Sequence, residues 1–391
     1  MRFARAAAMS STYGRAMGHL LAVIVALLSA QLQVAQQSSR SLRAGPAPAD
    51  SNVAPAPPTR ASSPTLTLRQ LVGQHMVFAY DGLEPPPALR RRIARGEAAG
   101  VILFARNVRS AGQVAGVVRS LQAIARPRGL RAPLLVMVDQ EGGPVRRLPG
   151  GPVRAAADAH SAAEARADGR TAAAALRGAG ANMDLAPVAD VARPGAALEG
   201  ERRIYGRSAD RVASLAGAFA AGLHDGGVRA TAKHYPGFGA ASVNTDDAPA
   251  RIDASLATLR SVDAEPFRTL IASGVDAVMA STAIYPALDE RPAAFSSRWI
   301  GGELRGRLGF RGVVITDDLG TPAVNAFGSV ARRALLAVRA GVDLPLFSSS
   351  YVMSARAAEG LLAAARRGEL SRGALRAQAT RVLALRKRLP R

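Results

Sequence analysis

The sequence predicts an α/β protein of the (β/α)8 TIM-barrel type over residues 66–391. Three observations support this fold class. Short apolar runs alternate with longer amphipathic segments, eight such pairs fit into about 325 residues, and polar side chains follow the ends of several apolar runs. An open doubly wound sheet is the competing architecture. It usually has fewer units, and the glycine-rich phosphate loop expected after its first strand is missing here.

The apolar runs are the predicted barrel strands. Most are continuously apolar, as parallel strands become when both faces are covered, and few alternate between apolar and polar residues. In chain order they are Met76–Tyr80, Gly100–Phe104, Leu134–Val138, Asn182–Val188, Ala230–His234, Asp276–Ala280, Gly312–Thr316 and Gly341–Leu346.

The segments between these runs are rich in Ala, Leu and Arg and have the periodicity of amphipathic helices. The clearest are Ser110–Ala125, Ser208–Asp225 and Ser329–Ala340. Two of them are followed by glycine before the next strand, at Gly226 and Gly341, and glycine is a common helix terminator.

Residues 1–35 are predicted to be a signal peptide or a signal anchor. Arginines precede the short apolar run 20–28, which is typical of an export signal. The candidate cleavage sites after Ala30 and Ala35 carry Leu28 and Gln33 three positions before the cut, so an uncleaved membrane tether through residues 17–30 remains an alternative. The predicted location is therefore extracellular, in the cell envelope or membrane-anchored.

Residues 36–65 are rich in Ala, Pro and Ser without periodicity, which predicts a flexible linker before the barrel. The sequence leaves the oligomeric state open.

The net charge of +22 raises the question of a nucleic-acid partner. The arginines are spread along the whole chain, and no zinc or helix-turn-helix signature accompanies them, so no nucleic-acid partner is expected. Compositional bias explains the charge, and a basic surface facing anionic wall polymers or lipid headgroups is the alternative. The absence of cysteine excludes disulfides, thiolate metal sites and a cysteine nucleophile.

Lysine is rare in this chain. Of its 51 basic residues only Lys233 and Lys387 are lysines, which suggests that position 233 needs a compact ammonium group.

Four predicted strands end in polar residues. The third is followed by Asp139, the fourth by Asp190, the fifth by Lys233-His234 and the seventh by Asp317-Asp318. Because the chemistry of a (β/α)8 barrel collects at the carboxyl ends of its strands, these side chains predict one site. Singly, each has an ordinary structural explanation, such as a turn, a helix cap, packing or, for Lys233, an ion pair on the rim, and that explanation is favoured for all but Lys233. The five histidines lack metal-ligand spacing, so neither a metal site nor a cofactor is expected.

Three of these segments resemble the signatures of glycoside hydrolase family 3. They are Asp139-Gln-Glu-Gly-Gly-x-Val-x-Arg147, Lys233-His-Tyr-Pro-Gly237 and Ile315-Thr-Asp-Asp-Leu319. Within that family the chain is similar to the single-domain β-N-acetylhexosaminidases that trim peptidoglycan-derived sugars. The resemblance extends from about residue 66 to the end of the chain, and it implies a family 3 N-terminal-type barrel with a carbohydrate substrate.

The resemblance implies a role for each matching residue. Asp317 would be the nucleophile that forms a covalent glycosyl-enzyme intermediate, the retaining route. The residues expected to surround the sugar are Asp139, Arg147, Arg203, Lys233 and His234.

The chain departs from the family pattern in the region of the general acid/base. The family carries Gly-His-Gly and then a loop with Asp-Ser-His, whereas this chain has Gly237-Phe238-Gly239 and Asn244-Thr245-Asp246. Our hypothesis is that Asp246 replaces the loop histidine as acid/base, because a carboxyl group can do so when burial or a neighbouring carboxylate raises its pKa. Two alternatives stay open. Asp246 and Asp247 could be solvated loop residues, and the whole barrel could be a catalytically impaired glycan-binding module at the cell envelope.

Overall fold

The computed structural model describes residues 66–390. The predicted export signal and the predicted linker lie outside these residues. Within the described range, no helix has the length and apolar character needed to cross a membrane.

Seven short parallel strands follow one another around the fold. They are β1 (Val77–Phe78), β2 (Gly100–Leu103), β3 (Leu135–Val138), β4 (Met183–Asp184), β5 (Thr231–Tyr235), β6 (Ala277–Ala280) and β7 (Val313–Thr316). Strands β1–β4 pair in that order, as do β5–β7. Single parallel bridges from Met183 to Arg229 and from Val188 to Lys233 join the two groups, and Leu344 pairs with Ile315 at the place of an eighth strand.

The predicted strands are confirmed in position, but two of them are much shorter than predicted. The fourth is interrupted at Pro187, which has no N–H to donate to a neighbouring strand. The eighth makes only the bridge at Leu344, because the N–H of Leu346 donates to the side-chain Oγ1 of Thr316 at 2.9 Å. A side chain therefore takes the place of a backbone partner there.

The core of the described chain has two layers. Between strands and helices lies a large apolar cluster, and a second, separate cluster gathers side chains from seven of the eight strand positions, all except that of β5. Its members include Val77, Ile102, Leu135, Met183, Ala277, Met279, Val313, Ile315, Leu344 and Leu346, together with Val382, Leu385 and Leu389 near the end of the chain. Side chains that converge on one interior from strands all around the fold are typical of a (β/α)8 barrel, and β5 contributes the polar Lys233 at its mouth.

Helices cover the outside of the strands. The α-helices are α1 (Leu68–Gly73), α2 (Pro87–Ala94), α3 (Ala111–Gln122), α4 (Ala162–Gly178), α5 (Ala197–Gly200), α6 (Ala209–Asp225), α7 (Leu256–Thr258), α8 (Glu265–Ala272), α9 (Val330–Ala340), α10 (Tyr351–Arg366) and α11 (Arg372–Lys387). Shorter 3₁₀ segments span Ala105–Asn107, Ala156–Asp158, Ala293–Phe295 and Pro322–Phe327, and π-helical segments span Leu259–Asp263 and Arg298–Arg307. Two antiparallel hairpins pair Gln140–Gly142 with Val145–Arg146 and Ile284–Tyr285 with Asp289–Pro292.

The three helices predicted from periodicity are confirmed as α3, α6 and α9. The side chains of Ser110 and Ser329 cap α3 and α9 by accepting hydrogen bonds from backbone N–H groups one turn later. Gly341 ends α9 with a φ of 104°, a left-handed conformation that glycine adopts without strain.

Candidate active site

The predicted site residues come together in one pocket at the carboxyl ends of the strands. Its lining includes all seven of them: Asp139, Arg147, Arg203, Lys233, His234, Asp246 and Asp317. Apolar side chains from the barrel interior, among them Ile102, Leu185 and Met279, form the base of the pocket.

Lys233 lies at the centre of the inner wall. Strand β5 carries it into the barrel mouth, where its Nζ is 2.7 Å from Asp139 Oδ1 and 2.6 Å from Glu141 Oε1. Burial alone would lower the pKa of Lys233, but the charges of Asp139 and Glu141 outweigh that effect and raise the pKa. The ammonium group is therefore charged, fixed and buried, which explains why this position differs from the arginines used elsewhere.

Glu141 links Lys233 to Arg203. The guanidinium of Arg203 donates from Nε and Nη2 to the two oxygens of Glu141, both at 2.8 Å, a bidentate geometry. Burial would raise the pKa of Glu141, but the charges of Arg203 and Lys233 hold it well below its usual range. Two cations and two carboxylates thus form one buried network.

Sequence reasoning missed Glu141 as a site residue. Its spacing could have indicated it. Glu141 lies two positions after Asp139 in an extended segment, and side chains two residues apart in extended backbone share a face. It also missed Asp184, a buried carboxyl next to this network. Burial raises the pKa of Asp184 well above its usual range, and its Oδ1 accepts the N–H of Gln140 at 2.9 Å.

His234 is held by Asp190, which sequence reasoning placed at a strand end without assigning it a role. One carboxylate oxygen of Asp190 accepts the Nδ1 proton of His234 at 2.8 Å. The other oxygen accepts the backbone N–H groups of His234 at 3.0 Å and Phe238 at 2.7 Å. These three bonds fix the orientation of the imidazole ring.

Phe238 stands at a position where the family pattern has histidine. Its ring is buried and packs edge-on against His234, with centroids 5.9 Å apart. The residue therefore contributes apolar packing to the pocket wall and offers no proton.

Arg147 faces the pocket with donors that the protein leaves unused. Its backbone N–H is bound to Gln140 Oε1 at 3.1 Å, while its side-chain Nε is buried without a partner among the described residues. A ligand oxygen can therefore accept from this guanidinium.

Asp317 and Asp318 are adjacent, but their carboxylates differ in the hydrogen bonds that they accept. Asp318 accepts the N–H of Gly320 at 2.7 Å and the N–H of Ser348 at 3.1 Å, and its other oxygen accepts the Ser348 hydroxyl. Within residues 66–390, Asp317 accepts one hydrogen bond, from the N–H of Asp318 at 2.8 Å. The other carboxylate oxygen of Asp317, which lines the pocket, therefore has no hydrogen-bond donor among the described residues.

The loop after β5 carries Asp246 to the pocket mouth. Asn244 donates to Glu201 Oε1 at 3.0 Å, and the N–H of Asp246 donates to Asn244 Oδ1 at 3.1 Å. Glu201 also accepts from Arg203 Nη1 at 2.9 Å. A chain of hydrogen bonds therefore connects the loop to the inner wall of the pocket.

The surroundings of Asp246 favour its protonated form. Although one side of this residue is open to solvent, partial burial and the negative charges of Asp317 and Asp318 raise the pKa of Asp246 to about 6. Asp246 and Asp317 line the same pocket. Asp247 is exposed and does not line the pocket.

The described residues contain no group of three or more acidic or histidine side chains arranged to hold a metal ion.

Comparison with known families decides the identity of the barrel. Residues 67–385 match the glycosyl hydrolase family 3 N terminal domain. The chain belongs to glycoside hydrolase family 3. The predicted resemblance is confirmed, and the protein is a glycoside hydrolase.

Relatives and solved structures agree with this family assignment. A protein of Arthroderma benhamiae described as an uncharacterized secreted glycosyl hydrolase is 39% identical over 81% of this chain and 92% of its own length. A β-hexosaminidase of Xanthomonas campestris is 39% identical over 77% of this chain and 93% of its own length.

Two solved structures share the fold of this family 3 barrel. The β-N-acetylhexosaminidase of Beutenbergia cavernae is 35% identical, with a TM-score of 0.76 and coverage of 82% of this chain and 99% of that one. A β-N-acetylglucosaminidase of a Paenibacillus species is 37% identical, with a TM-score of 0.77 over 83% of this chain. The chain spans 63% of that protein's length.

Proposed function

We propose that this family 3 hydrolase releases terminal β-linked sugars, with N-acetylglucosaminides as the preferred class, by a retaining mechanism in which Asp317 is the nucleophile. The proposal rests on a difference between two neighbouring carboxylates. One oxygen of Asp317 accepts no hydrogen bond within the described residues, whereas both oxygens of Asp318 accept hydrogen bonds. Asp317 attacks the anomeric carbon, the leaving oxygen departs, and water later breaks the glycosyl–enzyme bond.

The inner wall of the pocket binds the sugar before the attack. Lys233, Asp139 and Arg147 offer charged partners to neighbouring hydroxyl groups, and charge-assisted hydrogen bonds of this kind are strong and directional. Arg203 and His234 complete the binding wall, and their positions are fixed by Glu141 and Asp190. The sugar therefore meets groups that are already oriented.

Asp246 is the proposed general acid/base. With a pKa of about 6, its protonated form can donate to the leaving oxygen, and the resulting carboxylate can then accept a proton from the attacking water. Microscopic reversibility lets one residue serve both steps.

The names of its relatives support N-acetylhexosaminides as the substrate class, and the predicted export signal supports peptidoglycan-derived sugars outside the cytoplasmic membrane. The proposed arrangement is an export signal or membrane tether within residues 1–35, a linker over 36–65 and the catalytic barrel over 66–391.

A second candidate function is glycan binding without turnover. The observation that favours it is the replacement of both family histidines near the loop, since Phe238 is committed to packing and offers no proton. In that case the inner wall would bind a sugar and Asp246 would be a solvated loop residue.

Hydrolysis of 4-nitrophenyl β-N-acetylglucosaminide and 4-nitrophenyl β-glucoside by the full chain tests the proposal. Nitrophenolate leaves without protonation, so release depends on the nucleophile and hardly on Asp246. We expect turnover of the N-acetylglucosaminide that is lost in D317A. A folded protein that binds N-acetylglucosamine but turns over neither substrate would contradict the proposal and support the glycan-binding alternative.

A further inference from the structure

A basic groove lies at the end of the barrel opposite the active site. It encloses about 900 Å³ and is built from the end of α3, the segments that lead into β3 and β4, and the residues that follow α11. All of these segments belong to the end where the strands begin, so the groove is separated from the catalytic pocket by the length of the barrel.

Among the residues that the structure describes, five cationic side chains and no carboxylate line this groove. They are Arg119, Arg126, Arg131, Arg177 and Lys387. Arg119, Arg131 and Lys387 are exposed and make no ion pair or side-chain hydrogen bond within the described part of the chain. The Nε of Arg126 is buried without a partner among these residues. The groove therefore presents unused donors and uncompensated positive charge.

A further cation lies directly behind the groove. The guanidinium of Arg386 is fully buried and donates to the carbonyl oxygens of Leu130, Ala132 and Pro133 and to the side chain of Gln74. Burial, and then the positive charge of Arg126, lower the pKa of Arg386 to about 10. Its hydrogen-bond partners are all neutral, so Arg386 adds to the positive potential of the groove.

The carboxylates at this end of the barrel are already neutralised. Asp225 is bound by Arg166 and Arg170, and Asp343 by Arg305 and Arg381. Asp276 is within ion-pair distance of Arg229 and Arg388, and its Oδ2 is 2.7 Å from Nε2 of His224. None of them is available to balance the groove.

The groove also has apolar walls, and the described chain begins beside it. Val118, Pro133, Leu389 and Pro390 line it together with the cations, which suits an amphiphilic ligand. Gln74, which follows α1 at the start of the described chain, contacts Arg386 behind the groove. The preceding residues 1–65 contain six Arg and one Asp, so they carry the same sign of charge as the groove and do not complement it.

We propose that this groove binds the phosphate headgroups of an anionic phospholipid surface. A barrel seated on this groove has its catalytic pocket facing away from the membrane, toward soluble glycans. Arginine pairs well with phosphate oxygens because its planar guanidinium donates in a bidentate fork.

Partitioning of the full chain onto lipid vesicles tests the proposal. The readout is the ratio of partition coefficients for vesicles with 30 mol% phosphatidylglycerol and for pure phosphatidylcholine, about a third being an ordinary anionic content. The ratio cancels the contribution of the apolar run to binding of neutral lipid. Because each cation near an anionic membrane contributes about fivefold, the triple variant R119Q/R131Q/K387Q should lower the ratio by about 100-fold.

The matched control is R298Q/R356Q/R372Q, which removes the same charge from exposed arginines outside the groove. We expect it to change the ratio by less than about fivefold. An equal loss in both triple variants, or a wild-type ratio near one, would overturn the proposal. A groove variant that loses binding to inorganic polyphosphate while its vesicle ratio is unchanged would also overturn it, in favour of a soluble anionic polymer. Unchanged nitrophenyl glycoside hydrolysis in each variant verifies the fold.

Discussion

The two sides of the catalytic pocket are built differently. On the inner wall, Lys233 and Arg203 are buried and held by Glu141, and His234 is held by Asp190. On the outer side, Asp246 lies on a solvent-exposed loop that is connected to the wall through Asn244. The inner wall is thus fixed before the substrate arrives, whereas the proposed proton donor depends on the position of a loop. Substitutions on the two sides should therefore change the stability and the activity of the protein in different proportions.

The largest effect is expected at Asp317, at the centre of the pocket. D317A removes the proposed nucleophile and should lower kcat on 4-nitrophenyl β-N-acetylglucosaminide by about 10⁴-fold or more, with little change in stability. Steady-state hydrolysis and thermal unfolding measure the two quantities.

The neighbouring Asp318 supplies the control for that experiment. D318A should retain turnover and lower the free energy of unfolding by about 1–3 kcal/mol, because it leaves the N–H groups of Gly320 and Ser348 without their acceptor. The assignment of the nucleophile is wrong if D318A loses turnover as completely as D317A does.

On the outer side, D246A should lower kcat about 10²–10⁴-fold on substrates with poor leaving groups and far less on nitrophenyl glycosides. Because a general acid must be protonated and the pKa of Asp246 is raised to about 6, wild-type kcat/KM on the poor substrates should fall as pH rises through about 6. That limb of the pH profile should disappear in D246A.

Asp247 is the matched control, because it neighbours Asp246 but is exposed and does not line the pocket. D247A should keep wild-type rates and the wild-type pH profile. Equal rates for D246A and wild type on a poor substrate would assign Asp246 to the solvated loop and reopen the glycan-binding alternative.

On the inner wall, K233M should cost stability as well as activity. It leaves Asp139 and Glu141 close together without their shared cation, and breaking a buried ion pair costs about 3–5 kcal/mol. Urea unfolding of K233M beside K387M measures the loss, since Lys387 is the other lysine of the chain and is exposed. Similar unfolding free energies for both variants would contradict the buried network.

Lowering the pH should weaken the buried ion-pair network that Glu141 forms with Lys233 and Arg203. The pKa of Glu141 in the folded chain is held below its usual range, so its contribution is complete above about pH 4.5 and is lost as pH falls toward the depressed value. Wild-type stability measured from pH 7 to pH 3 should decline more steeply than that of E141Q, which lacks this titrating group.

The smallest effect is expected at Asn244, which connects the loop of Asp246 to the inner wall of the pocket. N244A removes the bond to Glu201 and the bond from the N–H of Asp246, so the loop is held less firmly. We expect kcat on poor substrates to fall about tenfold, with KM and the melting temperature nearly unchanged, since exposed hydrogen bonds contribute about 1 kcal/mol each. S242A, at an exposed serine of the same loop, is the control. A changed KM would show instead that Asn244 acts on sugar binding.

The sequence by itself determined the barrel, because its strands and helices depend on local periodicity and on apolar runs that the chain must bury. It also indicated the family and placed Asp139, Lys233, His234 and Asp317 at strand ends, while the family resemblance added Arg147, Arg203 and Asp246. It overestimated the fourth and eighth strands, where Pro187 and Thr316 change the backbone pairing. Those effects depend on partners that lie across the sheet.

Only the tertiary structure shows which hydrogen bonds and charges act on each candidate side chain. Asp317 and Asp318 are adjacent in sequence, where only the family resemblance distinguishes them, and in the structure Ser348, from a distant strand end, binds Asp318. Glu141 and Asp190 gained their positioning roles from contacts with residues more than 40 positions away. The raised pKa of Asp246 has the same origin, because burial and the charge of Asp317 act through space and leave no trace in the order of the residues.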